Sequence, residues 1–148
     1  MKAKDTPATG VIGTSGIAAT SDIAATSGIA ATPPDWTRGG TGIVYQACAR
    51  CSQVWYFRRA FCPGCGAAGP RDLRSEGRGT IHAGTLVHRA PTDEFRALAP
   101  YRIVLVDVDE GFRMMGHGDP GLAIGDRVQC GFKPLGDRLL PYFEKETE

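Results

Sequence analysis

The polar positions thin out most in YRIVLVDV, residues 101–108, where only Arg102 and Asp107 interrupt apolar, largely β-branched residues. Such a short run is the strongest strand signal in the chain. Residues 79–89, GTIHAGTLVHR, read as a strand before it. After the turn Asp109-Glu110-Gly111, residues 112–117, FRMMGH, read as its hairpin partner. In that partner one of Met114 and Met115 should face the core and the other solvent. An outward Met would make a tolerant apolar contact, useful at an interface. DRVQCGF at 126–132 and LLPYF at 139–143 complete a set of five strands. Only residues 92–98, TDEFRAL, have a helical look, and they are few. Five short strands with one longer inserted loop predict a small closed barrel, most simply an OB-fold. Closure protects edges that a short sheet leaves bare.

A different pattern precedes the barrel. Cys48, Cys51, Cys62 and Cys65 form two close pairs, CARC and CPGC, around the strand-like, aromatic QVWYF of residues 53–57. Two residues between paired cysteines let a tight turn aim both sulfurs at one ion. Two such knuckles joined by a hairpin make the tetrahedral tetrathiolate site that Zn²⁺ favours. Pro63, Gly64 and Gly66 supply turn residues for the second knuckle. The expected module is a rubredoxin-like zinc ribbon. Four sulfurs fill the coordination sphere, so the zinc would be structural and not catalytic. A redox dithiol or an iron–sulfur site uses similar residues. The first needs only one pair, and nothing else in the sequence asks for electron transfer. Cys130, in VQCGF, reads as a small apolar strand residue.

The first 34 residues stand apart. TSGIAA, TSDIAA and TSGIAA repeat in series from Thr14, and Pro33-Pro34 follow closely. Three short copies cannot build a β-helix, and the segment is too rich in small residues to bury a core. The composition predicts a disordered tail; the competing reading is a docking peptide with Ile17, Ile23 and Ile29 as anchors. Trp36 follows in PPDWTRGGTGIVYQ. It is either tucked onto the domain edge or an interface anchor. The glycines at 39, 40 and 42 argue against a regular helix, each costing about 1 kcal/mol relative to Ala.

Composition narrows the function. The chain has 148 residues, 42% hydrophobic and 22% charged, with formal net charge +1. There is thus no global basic field to draw nucleic acid. No stretch is apolar enough to span a membrane, and the start lacks the apolar core of a secretory signal. The expected setting is cytoplasmic and reducing, where paired cysteines more often mean metal than disulfides. The charge is uneven. Residues 50–89 hold seven arginines, no lysine and only Asp72 and Glu76, for +5; residues 90–148 hold seven basic and eleven acidic groups, for −4. Arginine forks suit phosphate or carboxylate. A polyanion track along the acidic barrel is disfavoured, so one compact phosphorylated ligand or an acidic patch on a partner fits better. His82 and His88 would share a face in a regular strand, but the sequence spacing presents no catalytic triad and no phosphate-binding P-loop.

Taken in order, CARC…CPGC, GRGTIHAGTLVHRAP, PYRIVLVDVDEGFRMMG, IGDRVQCGF and LPYF resemble the zinc-ribbon/OB-fold proteins that accompany thiolase-like enzymes in acyl-CoA metabolism. The resemblance runs from about Trp36 to Glu144 and leaves out the repeats. It is to the small subunits of thiolytic, acyltransfer and retro-aldol complexes, the benzoylsuccinyl-CoA thiolase type among them. It implies an accessory subunit whose thiolase-fold partner carries the catalytic groups, and which docks on that partner and helps form the acyl-CoA passage. The chain is then not an enzyme by itself. Cys48, Cys51, Cys62 and Cys65 match the zinc ligands, and the segment His88-Arg89-Ala90-Pro91 matches a loop that faces the CoA path. Arg58, Arg59, His88, Arg89 and Trp36 are the candidates for CoA or partner binding. The expected divisions are a tail (1–34), a ribbon with a docking segment (35–75) and an OB-fold (76–148). Many such proteins open with an amphipathic helix, which DWTRGGTGIVYQ does not offer. The competing function is a single-stranded nucleic-acid-binding OB-fold.

Overall fold

The computed structural model describes residues 34–147. The TSGIAA repeats, and with them the expectation of a disordered tail, lie outside the described residues. A three-stranded antiparallel sheet comes first, made of β1 (Ile43–Ala47), β2 (Val54–Tyr56) and β3 (Arg71–Ser75) in the order β2-β1-β3. A closed barrel follows, made of β4 (Arg78–Val87), β5 (Tyr101–Val108), β6 (Arg113–Gly118), β7 (Arg127–Leu135) and β8 (Arg138–Lys145). Its order is β4-β5-β6-β8-β7. All neighbours are antiparallel except β6 and β8, which pair in parallel at His117↔Tyr142 and Gly118↔Phe143. The chain is therefore mainly β, with the expected five-stranded OB-fold barrel. One helical turn, α1 (Asp93–Arg96), lies in the long β4–β5 connection, within the stretch expected to be helical. No helix among the described residues is long and apolar enough to cross a membrane.

The period-two pattern sets the barrel interior. Val104, Val106 and Val108 point inward from β5 and are buried, while Asp107 lies outside and Ile103 and Leu105 are only partly covered. Met114 is buried and Met115 is 62% exposed, the division that a pleated strand requires. Two glycines make the close packing possible. A Cβ at Gly79 would sit 2.5 Å from the Asp107 carbonyl oxygen, and one at Gly116 would sit 2.8 Å from the Phe143 ring. Gly116 thus makes room for Phe143, the largest fully buried side chain. A bulge between Ile81 and Ala83 shifts the register of β4 against β5. Such bulges bend a strand, as closing a small barrel demands. The bulge also breaks the phase between His82 and His88, and β4 ends at Val87, before His88. A shared strand face for the two histidines does not exist, and both rings are exposed.

The ribbon differs from its sequence reading in two strands. The glycine-rich segment forms a 3₁₀ turn at Trp36–Arg38, then β1, the central ribbon strand. Asp35 caps the turn by accepting the Thr37 N–H at 2.8 Å, and Gly39, at φ 81°, ends it. β3, RDLRS, has a single apolar residue and no strand signal of its own. It forms because all five residues pair with β1. Ribbon and barrel meet in one apolar core. Ile43 of β1 is buried with Ile81, Val106, Phe112 and Val128. The Phe112 ring stacks on Tyr45 at 5.1 Å and on Tyr56 at 5.4 Å.

Candidate metal centre

The two knuckles are built alike, residue for residue. In each, the first cysteine N–H donates to the carbonyl five residues on: Cys48 to Gln53 at 2.9 Å and Cys62 to Ala67 at 2.8 Å. In each, the N–H four residues on donates back to the cysteine carbonyl: Ser52 to Cys48 and Gly66 to Cys62, both at 3.0 Å. Those two donors carry the positive φ that closes the turn, 59° at Ser52 and 71° at Gly66. The N–H two residues on donates to the sulfur: Arg50 to Cys48 Sγ at 3.3 Å and Gly64 to Cys62 Sγ at 3.4 Å. β1 ends directly before Cys48, and the β1–β2 hairpin brings the first knuckle to the second. Cys48 and Cys62 are buried with Trp55, whereas Cys51 is exposed.

The four Sγ atoms lie within 4.8 Å of one another, and Cys48–Cys65 and Cys51–Cys62 each stand at 3.6 Å. A tetrahedral ion with bonds of about 2.3 Å to sulfur separates its ligands by about 3.8 Å. The donor set therefore fits a metal ion. Four thiols this close cannot all ionise without a cation. Backbone N–H groups, that of Cys51 first and then that of Arg50, hold the Cys48 thiol down to about 6. The Gln53 N–H lowers Cys51, but the thiols of Cys65 and Cys62 outweigh it and push that group up to about 12. Cys130 takes no part. It packs against the core from β7, and burial pushes its thiol up to about 12.

Gln46, which no sequence motif marks, organises the rest of the ribbon. Its buried amide oxygen accepts from Trp55 Nε1 at 2.9 Å and from the Arg59 N–H at 2.7 Å, and its Nε2 donates to Asp72 at 2.8 Å. Asp72 in turn pairs with Arg58 at 3.3 Å. Arg58 is thus engaged within the fold, while the Arg59 guanidinium stands exposed beside it. Trp36 is partly buried and donates its Nε1–H to the Tyr56 hydroxyl at 2.6 Å. His88 and Arg89 lie in the exposed loop after β4. The five candidates for ligand or partner binding therefore occupy three places: the ribbon loop, the 3₁₀ turn and the β4–β5 connection.

Two of the clefts among the described residues bear on ligand binding. One, of about 520 Å³, sits where ribbon meets barrel and is lined by Arg74, Arg78, Gln129 and Cys130. The other, of about 270 Å³, is mostly apolar and is lined by Tyr101, Leu140 and Tyr142 together with Arg102 and Lys133; Lys133 pairs with Glu144 and lies over the Tyr142 ring. His117 lines it too, stacked on Phe95 at 5.7 Å and tilted against Tyr101 at 5.1 Å, and burial lowers its pKa. On the barrel exterior Ala83, Leu105 and Met115 sit side by side across β4, β5 and β6.

This architecture has known relatives. The family model described as the ChsH2 C-terminal OB-fold domain matches residues 74–133, from the end of β3 to most of β7. By fold the chain is similar to a chain of the Ltp2-ChsH2(DUF35) aldolase, with TM-score 0.61 and 26% identity over 70% of this chain and 84% of that one. A DUF35 protein of unknown function from Sulfolobus solfataricus shares the fold at TM-score 0.51 and 14% identity, over 75% of this chain and 79% of that one. In sequence, the chain is 35% identical over 93 residues to a DUF35 domain-containing scaffold protein of Methanothermobacter thermautotrophicus, covering 60% of this chain and 69% of the relative. A scaffold protein of the same description from Methanocaldococcus jannaschii is 33% identical over 98 residues, covering 63% and 69%. At such identity, over more than two thirds of its relatives' length, the chain belongs to the family of DUF35 domain-containing scaffold proteins.

Proposed function

We propose that the chain is a zinc-stabilised accessory subunit of a thiolase-like enzyme in the cytoplasm, acting on acyl-CoA within that complex and leaving the covalent chemistry to its partner. The observation that carries the reading is the kinship with scaffold proteins, joined to the likeness to the ChsH2(DUF35) chain of an aldolase. The geometry agrees with it. Cys48, Cys51, Cys62 and Cys65 would hold Zn²⁺, and four thiolates leave no open position for substrate. The ion would supply rigidity: it fixes both knuckles, and through them the ribbon loop and the β1–β2 hairpin. Ribbon and barrel share one core, so rigidity in the first is passed to the second.

For acyl-CoA two features are suited. His88 and Arg89 project from an exposed loop, where an arginine fork can pair with phosphate. The 270 Å³ cleft offers a mostly apolar lining that includes Arg102 and Lys133, a match for an acyl group with polar ends. A single-stranded nucleic acid is less well served. It needs aromatic platforms in a basic groove, and the outer face of β4, β5 and β6 instead presents Ala83, Leu105 and Met115.

Co-expression with candidate thiolase-like enzymes from the source organism tests the proposal. The expected result is acyl-CoA turnover that depends on this chain and an Arg89→Glu variant with a raised KM. Full activity of the partner alone, with the two proteins eluting separately, would overturn it.

A further inference from the structure

Two of the six phenylalanines are more than half exposed, Phe57 at 64% and Phe61 at 61%. Both lie in one five-residue loop, FRRAF at 57–61, between β2 and the second knuckle. Phe57 has φ 64°, a left-handed conformation that is uncommon for a bulky aromatic and normally left to glycine. The ring stands outward, with the Tyr56 ring beside it at 4.4 Å. Strain of this kind persists only where the surroundings over-determine it, and it clusters at functional sites.

The surroundings do over-determine the loop. The Arg59 N–H is fixed on Gln46, Arg58 on Asp72, the Ala60 carbonyl on the Gly69 N–H, and Phe61 bridges to Ala68. Cys62 then ties the loop to the four-cysteine cluster. The loop is thus ordered in advance, which lowers the entropy cost of binding. Its charge is one-sided. Residues 48–71 contain Arg50, Arg58, Arg59 and Arg71 and no carboxylate. Arg58 is paired, but among the described residues Arg50, Arg59 and Arg71 have no ion-pair partner.

We propose that residues 57–61 are a docking loop that seats Phe57 and Phe61 in apolar pockets on an acidic surface of the partner enzyme, with Arg59 pairing a carboxylate at the rim. Aromatic anchors with an arginine beside them are the composition of binding hot spots. A nucleic acid is the poorer occupant, because a five-residue loop with one free guanidinium gives no track for a phosphate backbone. The proposal rests on the reading of the chain as an accessory subunit, and supplies the contact surface for it.

The test uses the full chain and the co-expressed thiolase-like enzyme. Complex affinity, metal content and Tm are measured for the wild type, Phe57→Gly, Phe61→Ser, Arg59→Glu and, as a control far along the chain, Ile124→Ser. Phe57→Gly and Phe61→Ser should each weaken the complex by about tenfold or more. Metal content should hold, and Phe57→Gly should keep or raise Tm because glycine relieves the strained φ. Arg59→Glu should weaken binding and flatten its salt dependence, and Ile124→Ser should change nothing. Wild-type binding with all three loop variants within about twofold of it overturns the loop assignment alone. No wild-type binding overturns both the loop and the accessory-subunit reading. Binding of a dT oligonucleotide that Phe57→Gly abolishes assigns the loop to nucleic acid and overturns the protein occupant.

Discussion

Gln46 is where a single residue holds the most. Its amide links β2, the ribbon loop and Asp72, and all of its partners are internal. Gln46→Leu keeps the size but strands the Trp55 and Arg59 donors. An unsatisfied buried group costs about 1–3 kcal/mol, so chemical denaturation should show a loss of that order; an unchanged midpoint would contradict the network. The cysteines make the second prediction. Cys62→Ser removes a buried ligand, and since metal binding and folding are coupled, zinc should fall well below one per chain and Trp55 fluorescence should report an opened ribbon. Retained zinc would refute the ligand set. At this scale the sequence was informative where chemistry repeats at fixed spacing. CARC and CPGC announced themselves because two-residue gaps serve few purposes. Gln46 did not, because a lone polar residue gives no sign of being buried, and the positive φ of Phe57 has no signature in residue type.

Among the elements, legibility followed the source of the stabilisation. β5 was readable because its apolar, β-branched residues are the ones that its own burial demands. β3 was not, because RDLRS is a strand only by pairing with β1. β1 was masked by the glycines before it, although four of its five residues are buried. The bulge in β4 could not be seen, so the phase of His82 and His88 was misjudged. Two predictions belong here. Gly79→Ala puts a Cβ against the Asp107 carbonyl; overpacking of this kind costs about 1–3 kcal/mol, and Tm should fall accordingly. His117, on β6, has its pKa lowered from 6.5 by burial. The unfolded chain therefore takes up the proton first as pH drops. The stability tied to a neutral His117 is complete above about pH 6.5 and is lost as pH falls below that value. Tm should decline from pH 7.5 to 5 more steeply in the wild type than in His117→Phe; parallel slopes would show that the ring carries no such linkage.

For the molecule as a whole, one core beneath two sheets couples the cysteine cluster's ribbon to the barrel. The ribbon fixes its loop through the cysteines and Gln46, and it meets the barrel through Ile43, Tyr45, Tyr56 and Phe112. Loss of the ion should therefore weaken partner binding even where the barrel remains folded. The proposed role as an accessory subunit would use the exposed apolar side chains of ribbon and barrel, Phe57, Phe61 and Met115 among them, as contact surface. Native mass spectrometry of the chain co-expressed with a candidate thiolase-like partner tests this most directly. The account predicts one assembly containing both proteins, with one zinc ion for every copy of this chain. Two separate species, each stable and the enzyme fully active alone, would contradict it.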